Sequence, residues 1–137
     1  MSNYKSKLSF KNYIVNSINF KNNIKYDNEE NVLDFDFDSK VEFGDNNEFI
    51  LYLSIEIFKD AEINNYPFEF NAELIGFFEL EGVAEDKKQS YAEQNAVAIL
   101  FPYLRALITT YTGAANVQPL ILPPINVVRY LENKNKS

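Results

Sequence analysis

The segment from residue 90 to residue 113, SYAEQNAVAILFPYLRALITTYTG, constrains the fold more than any other part of the chain. Between Asn95 and Tyr111 its only formal charge is Arg105. A helix that lies on one surface has an apolar stripe and a polar face, whereas apolar side chains here surround most of the helical circumference. We therefore expect a long helix with two covered sides, one against the chain's own sheet and one against a partner subunit.

The residues at both ends of this segment are typical of helix boundaries. Ser90 and Glu93 have the spacing of a capping box, in which each side chain pairs with a free backbone N–H of the first turn. Gly113 predicts the stop, because glycine adopts the left-handed conformation that ends many helices. Pro102 removes one backbone hydrogen bond in the middle, so we expect a kink there.

Four segments before the helix alternate apolar and polar residues with the period of a β-strand. They are residues 13–20, 33–38, 49–57 and 68–74. Short polar turns join the second segment to the third and the third to the fourth, which predicts antiparallel hairpins. Gly76 interrupts the fourth pattern and is a position where a bulge could shift the phase.

The chain after the long helix, AANVQPLILPPIN, is apolar and contains three prolines that forbid a helix or a central strand. Loops are normally polar, so this one is either a buried lid or part of a binding groove, and the residues leave both open. Asn126 is a good N-cap for a short last helix. The order predicts one α+β domain over residues 1–137, a four-stranded antiparallel sheet with one long and one short helix on one side. Residues 1–9 and 134–137 are expected to be flexible.

Composition excludes several classes of function. The chain has no Cys and no His, which removes cysteine nucleophiles, histidine bases and zinc sites with these ligands. It has no glycine-rich phosphate loop and no G-x-S-x-G motif. No apolar run reaches the ~20 residues of a membrane span, and the first ten residues contain no apolar signal region. We therefore expect a cytoplasmic protein that does not insert into membranes.

The net charge of −7 is distributed unevenly. Residues 27–93 carry nineteen acidic residues and four Lys, whereas residues 1–26 carry five Lys and no acid. An acidic middle repels nucleic acid and favours a basic partner, although simple solubility is the favoured explanation.

Two features could carry chemistry. Asp34, Asp36 and Asp38 share one face of the second strand, which could hold a cation or serve acid catalysis in a small ligand-binding domain or enzyme. A solvated sheet face is the simpler interpretation, and we predict a non-enzymatic protein without a metal or other cofactor. Arg105 could clamp an anion, but pairing with an acid or capping a subunit contact is favoured.

Two C-terminal motifs resemble the SecB family of bacterial protein-export chaperones. Leu100, Phe101, Pro102, Tyr103 and Arg105 match a Leu-Phe-Pro-Tyr-x-Arg helix, and PLILPPIN at residues 119–126 is similar to the family's proline-rich crossover loop. Gly76 resembles the glycine that ends the family's fourth strand. The resemblance implies the α+β fold above, assembled as a tetramer, a dimer of dimers with the long helices in contact. The oligomer contact would then contain Leu100, Tyr103, Leu104, Leu107, Ile108 and Tyr111.

The resemblance also implies a cytoplasmic, ATP-independent chaperone that binds unfolded or precursor polypeptides in long apolar grooves. The alternative within the fold is a chaperone dedicated to one partner, such as an antitoxin. The client groove would be lined by loop and last-helix residues: Val117, Leu120, Ile121, Leu122, Ile125, Val128 and Leu131.

Family members pass clients to the SecA motor through acidic residues on the outer sheet face. The corresponding positions here are Ser17, Lys21 and Asn71, so docking would rely on Asn71 with its neighbours Glu69 and Glu73. The basic end ENKNKS replaces the acidic tail of enterobacterial members. An export role is therefore a separate hypothesis from client binding.

Overall fold

The computed structural model of the protein describes residues 7–27, 32–115, 117, 120–122 and 126–135. It contains four strands and three helices, with a short 3-10 turn before the long helix. In chain order they are β1 (Lys7–Asn22), β2 (Phe35–Phe43), β3 (Glu48–Ile57), α1 (Ala61–Asn64), β4 (Phe68–Glu81), α2 (Lys88–Ala114) and α3 (Val127–Asn135).

The four strands form one antiparallel sheet in the order β1-β4-β3-β2. The two predicted hairpins are confirmed: Phe35 pairs with Ile57 between β2 and β3, and Ile57 pairs with Phe70 between β3 and β4. β1 is the edge strand beside β4, where Ile18 pairs with Ala72, and the chain passes from β1 to β2 at the opposite edge of the sheet. The predicted α+β architecture, with the helices on one side, is the architecture observed.

The core lies between the inner face of the sheet and α2. β3 and β4 alternate between buried and half-buried residues, except at Glu48 and Glu81, which are exposed at one end of each strand. Phe49 and Phe78 stack with ring centroids 5.1 Å apart on neighbouring strands. Phe37 of β2 packs edge-on against Phe101 of α2, so the edge strand is also tied to the helix.

One side of α2 is buried within the protomer, and this side packs on the sheet and on α3. Its buried residues are Ala92, Ala96, Val97, Leu100, Phe101, Leu104, Ile108 and Thr112. The stretch Glu85–Ala114 is also long and apolar enough to cross a membrane by length and composition. Burial against the sheet accounts for the apolar residues on one side of this helix.

The predicted ends of the long helix are wrong in detail. α2 begins two residues before Ser90, and its N-cap position, Lys87, makes no side-chain capping hydrogen bond. Ser90 instead accepts a hydrogen bond from Gln94, and Glu93 accepts one from Ser39 of β2. Gly113 lies inside the last turn rather than in a left-handed cap. The helix continues through Pro102.

Gly76 is not a bulge and does not end β4. The strand alternates without a phase shift to Glu81, and the two register shifts of the sheet lie in β1, between Phe10 and Asn12 and between Val15 and Ser17. A Cβ atom at Gly76 would meet Leu100 Cδ2 at 3.2 Å and Phe78 Cε1 at 2.7 Å. The glycine therefore lets α2 approach the sheet closely.

Regular secondary structure reaches into both terminal segments of the chain over the described residues. β1 begins at Lys7, within the segment predicted to be flexible, and α3 extends through Lys134 to Asn135. The predicted cap of the last helix is confirmed, because the Asn126 side chain accepts a hydrogen bond from the backbone N–H of Arg129 at 3.0 Å. The turn α1 between β3 and β4 was not predicted.

Candidate functional site

The apolar loop before α3 presents its residues in two directions. Leu120 and Val117 are half-buried, Ile121 is 67% exposed and Leu122 is fully buried in the core. Leu122 therefore closes part of the core, whereas the neighbouring Ile121 faces solvent. Ile125, also predicted to contact clients, lies outside the described residues.

Three side chains of α2 hold this loop by its backbone. Arg105 Nε donates to the carbonyl oxygen of Leu122 at 2.9 Å, and Thr109 Oγ1 donates to that of Leu120 at 2.8 Å. Thr112 Oγ1 accepts from the backbone N–H of Leu120 at 2.9 Å. We call these three side chains the loop clamp. The predicted acid pair or subunit contact of Arg105 is not what the structure shows, because its described partner is the loop.

A groove lies between the first turns of α2 and the helix α3, with a volume of about 460 Å³. Val128 and Leu131, both predicted to contact clients, line it together with Val97 of α2. Leu131 and Val97 are almost fully buried, so they form its floor, whereas Val128 is half-buried at the side. Ile121 is not among the residues that line this groove.

The rim of the groove is acidic. Asp86, Glu93 and Glu132 line it, and none of the lining residues in the described part of the chain is Lys or Arg. Gln94 Nε2 donates to Glu132 Oε2 at 2.9 Å, which links the two helices across the groove. An apolar floor with a carboxylate rim suits an apolar side chain that is flanked by a cation.

α3 is anchored to the edge strand β2 by polar contacts. The Tyr130 hydroxyl donates to Asp36 Oδ1 at 2.7 Å, and Lys134 Nζ lies 2.9 Å from the same oxygen. Lys134 Nζ also donates to the carbonyl oxygen of Phe37 at 2.8 Å, which satisfies a backbone group of the sheet edge. We call Asp36, Tyr130 and Lys134 the α3 anchor. It fixes one wall of the groove.

The pKa values of the anchor reflect these contacts. Partial burial alone would raise the pKa of Asp36, but the hydrogen bonds from Lys134 and Tyr130 outweigh it and hold the pKa below the ordinary 3.8. Burial, and then the hydrogen bond to Asp36, raise the pKa of Tyr130 above 10.0. The carboxylate and the neutral phenol are therefore the favoured forms in the folded protein.

The three aspartates of β2 do not converge on one site. Asp36 belongs to the α3 anchor, Asp34 accepts a hydrogen bond from the Tyr66 hydroxyl at 3.2 Å, and Asp38 accepts one from the backbone N–H of Ser39 at 3.0 Å. Among the described residues, no group of three or more acidic side chains could hold a metal ion. Their partners give each aspartate a structural role.

The residues predicted for the oligomer contact divide between the inside and the outside of the protomer. Leu100, Leu104 and Ile108 are fully buried against the chain's own sheet and cannot reach another subunit from there. Tyr103 is 41% exposed, although its ring packs 4.6 Å from that of Tyr13. Leu107 and Tyr111 are half-buried.

The predicted docking residues on the outer sheet face are half-buried and engaged by their neighbours. Asn71 accepts a hydrogen bond from Asn19 at 3.0 Å, and Glu73 accepts one from Asn16 at 2.8 Å, both across the β1–β4 pair. Glu69 Oε1 accepts from the backbone N–H of Ala61 at 3.0 Å, so it caps α1.

Sequence reasoning missed Thr109 and Thr112 and gave Arg105 another role. Their spacing of four and three residues places all three on one helix face, which was a readable signal. Polar side chains on the covered side of an apolar helix need hydrogen-bond partners. The backbone groups of a neighbouring loop that lacks strand pairing can supply them.

Comparison with known proteins gives a family for the whole chain. The family model described as SecB, preprotein translocase subunit SecB, matches residues 1–137. The uncharacterized protein MJ0357 of Methanocaldococcus jannaschii is 41% identical over 132 residues, which are 94% of this chain and 85% of that protein.

Two solved structures are similar in fold. The SecB-like chaperone Rv1957 of Mycobacterium tuberculosis, in complex with a ChAD peptide from the antitoxin HigA1, matches with a TM-score of 0.69 and 16% identity. The match covers 86% of this chain and 90% of that one. A protein of unknown function from Streptococcus agalactiae matches with a TM-score of 0.52 and 14% identity, over 87% and 98% of the two chains.

Proposed function

Since the chain belongs to the SecB family, we propose that it is a cytoplasmic, ATP-independent chaperone that binds non-native polypeptides and keeps them from aggregating. The observation that carries this proposal is Ile121, a large apolar side chain that is 67% exposed between the half-buried Leu120 and the fully buried Leu122. The apolar floor of the groove between α2 and α3 supplies a second contact for a client. Several weak contacts of this kind can add up to a useful affinity through avidity.

The test is suppression of aggregation when a chemically unfolded model protein is diluted into buffer with the purified chain. We expect suppression at near-stoichiometric ratios and without ATP. Ile121→Ser should weaken it. Ile63→Ser is the matched control, because Ile63 is 85% exposed on α1, between β3 and β4. Aggregation that proceeds unchanged with the wild-type chain would refute the proposal.

A chaperone dedicated to one partner is the second candidate. It is favoured by the Rv1957 structure, in which a chaperone of the same fold holds a peptide from one antitoxin. Affinity capture from the native host separates the two versions. One dominant co-purified protein supports a dedicated chaperone, and a broad set of proteins supports a general one.

We further propose that the protein assembles as a tetramer through the exposed side of α2. Pro102, Tyr103, Ala106 and Thr110 are exposed along this side, and Leu107 is half-buried beside them. Their largely apolar or small side chains suit a helix contact between subunits. The buried residues Leu100, Leu104 and Ile108 are left out of this contact.

An export role through SecA is a separate proposal that rests on the acidic outer face of the sheet. Glu69→Gln and Glu73→Gln each remove one carboxylate from this face, whereas Asn71→Asp adds one. Binding to a purified SecA motor that is abolished by Glu73→Gln supports docking on this face. Absence of any binding by the wild-type chain argues for a chaperone outside the export route.

A further inference from the structure

The loop clamp has a geometry that goes beyond closing the core. Thr112 is fully buried, and its hydroxyl has one proton. The shorter of its two donor contacts, 2.8 Å to the carbonyl oxygen of Ile108, uses this proton, which leaves the oxygen to accept from the Leu120 N–H. Thr109 is 2.8 Å from the Leu120 carbonyl oxygen and 3.3 Å from that of Arg105, so its proton is directed at the loop.

Both backbone polar groups of Leu120 are therefore held by side chains of one helix. Arg105 holds the carbonyl of Leu122, two residues further along. These bonds replace the sheet hydrogen bonds that an extended segment would otherwise make, since the described part of the loop pairs with no strand.

The held segment alternates like a β-strand. Leu120 is half-buried, Ile121 is exposed and Leu122 is fully buried. Because the backbone is held on both sides of Ile121, the direction in which its side chain leaves the loop is fixed toward solvent. A free loop loses backbone entropy when it is ordered, and a loop ordered in advance avoids that loss on binding.

We propose that Thr109 and Thr112 are positioning residues for client binding, which act by holding Leu120 to Leu122 so that Ile121 is a preorganised apolar contact. This inference rests on the proposed chaperone function. A purely structural role for the threonines would change the melting temperature and leave the affinity of the folded protein unchanged.

The test pairs Thr112→Val with Thr112→Ser in the full chain. Valine keeps the shape of the side chain and removes the hydroxyl, whereas serine keeps the hydroxyl and removes the methyl group. The probe is a short fluorescein-labelled peptide that carries spaced Leu, Phe and Lys residues. We expect Thr112→Val to weaken peptide binding about fivefold, the equivalent of one net hydrogen bond, and Thr112→Ser to restore most of it.

Two further measurements identify the route of the effect. The amide hydrogen of Leu120 should exchange faster in Thr112→Val than in Thr112→Ser. In an Ile121→Ser background, Thr112→Val should cause no additional loss of affinity, because the contact that it positions has gone. If Thr112→Val does not fold, Thr109→Val and Thr109→Ser replace the pair.

The outcomes separate this inference from the proposed function. Peptide binding by the wild type that is unchanged in the folded valine variants overturns the positioning role and leaves the chaperone function standing. If Thr112→Val weakens peptide binding as much in the Ile121→Ser background as in the wild type, the positioning role is also overturned. The threonines would then act through a contact other than Ile121. A wild-type chain that binds no peptide and suppresses no aggregation refutes the function and the inference with it.

Discussion

Gly76, Ile121 and Thr112 show how much single positions decide in this molecule. Gly76 permits the helix to approach β4, Ile121 exposes an apolar side chain, and Thr112 hides a polar one. In each case the residue type is unusual for its surroundings. Such local exceptions to the general pattern of burial are where functional and packing constraints are expected to concentrate.

Gly76→Ala should destabilise the fold by about 1–3 kcal/mol, because the added methyl group would crowd the ring of Phe78 on the same strand and the side chain of Leu100 in α2. Its Cβ would lie 2.7 Å from Phe78 Cε1. Urea unfolding of the variant and the wild type measures the difference. Gly44→Ala is the control, since its Cβ would have only Glu48 O in range, at 3.9 Å, and an unchanged midpoint is expected there. Equal stability of the Gly76→Ala and wild-type proteins would contradict the close approach.

At the scale of elements, α2 and α3 create the candidate site together. α2 supplies the loop clamp on one side and half of the groove on the other, and α3 supplies the remaining wall of the groove. The position of α3 depends on the α3 anchor at the edge of the sheet. The contacts of Asp36 with Tyr130 and Lys134 therefore help to set the position of the groove wall that α3 forms.

The α3 anchor should make stability depend on pH in two windows. The lowered pKa of Asp36 stabilises the fold above about pH 3.8, and this contribution is lost as the pH falls through the folded-state pKa. The raised pKa of Tyr130 stabilises the fold below about pH 10.0, and this is lost as the pH rises through its folded-state value.

Melting temperatures of the wild type and Asp36→Asn across this range test the anchor. At neutral pH the variant should be less stable by about 0.5–1 kcal/mol, since the pair is largely exposed to solvent. The difference should shrink at both acid and alkaline extremes. A constant difference at every pH would show that Asp36 does not act through its charge.

The acidic rim of the groove predicts a preference for cationic apolar segments. A labelled peptide with Lys beside its Leu residues should bind more weakly at high salt, because the rim charges are exposed and screened. Glu132→Gln should weaken its binding about twofold, within the range for an exposed charge pair. Glu56→Gln, on the outer face of the sheet, is the matched control. Salt-independent binding that is indifferent to Glu132 would place the peptide elsewhere.

At the scale of the whole molecule, the sheet covers only one side of the long helix. The protomer leaves uncovered one side of α2 and, on the edge strand β1, the apolar side chains of Ile14 and Val15. The expectation of two covered sides thus becomes a proposal about assembly, in which one side is covered within the protomer and the other by a symmetry mate.

Ala106→Glu tests this assembly. Ala106 is exposed on α2, so a charge there should reduce the mass measured by light scattering while the melting temperature of the protomer stays nearly unchanged. Leu104→Glu should instead unfold the protomer, because Leu104 is fully buried. Ala84→Glu, at an exposed position before α2, controls for the added charge. An unchanged mass for Ala106→Glu would exclude this side of the helix from the contact.

The elements of the fold were largely predictable because their signals are local. Strand periodicity placed β3 and β4, and Asn126 marked the start of α3. Helix ends were less reliable, since Ser90 and Gly113 had the right residue types but different partners in the folded chain. The turn α1 has only four residues and too little periodicity to be recognised.

Sequence alone predicted the four strands and the two longer helices, and it showed that the segment before α3 is unusually apolar for a loop. Only the tertiary structure decided which side of α2 packs inward and which loop residue faces out. It also decided that β1 lies beside β4, and that Arg105, Thr109 and Thr112 bind the loop backbone. The physical reason is that the spacing of apolar residues shows which face of an element is buried. What that face packs against depends on segments that meet only after the chain has folded.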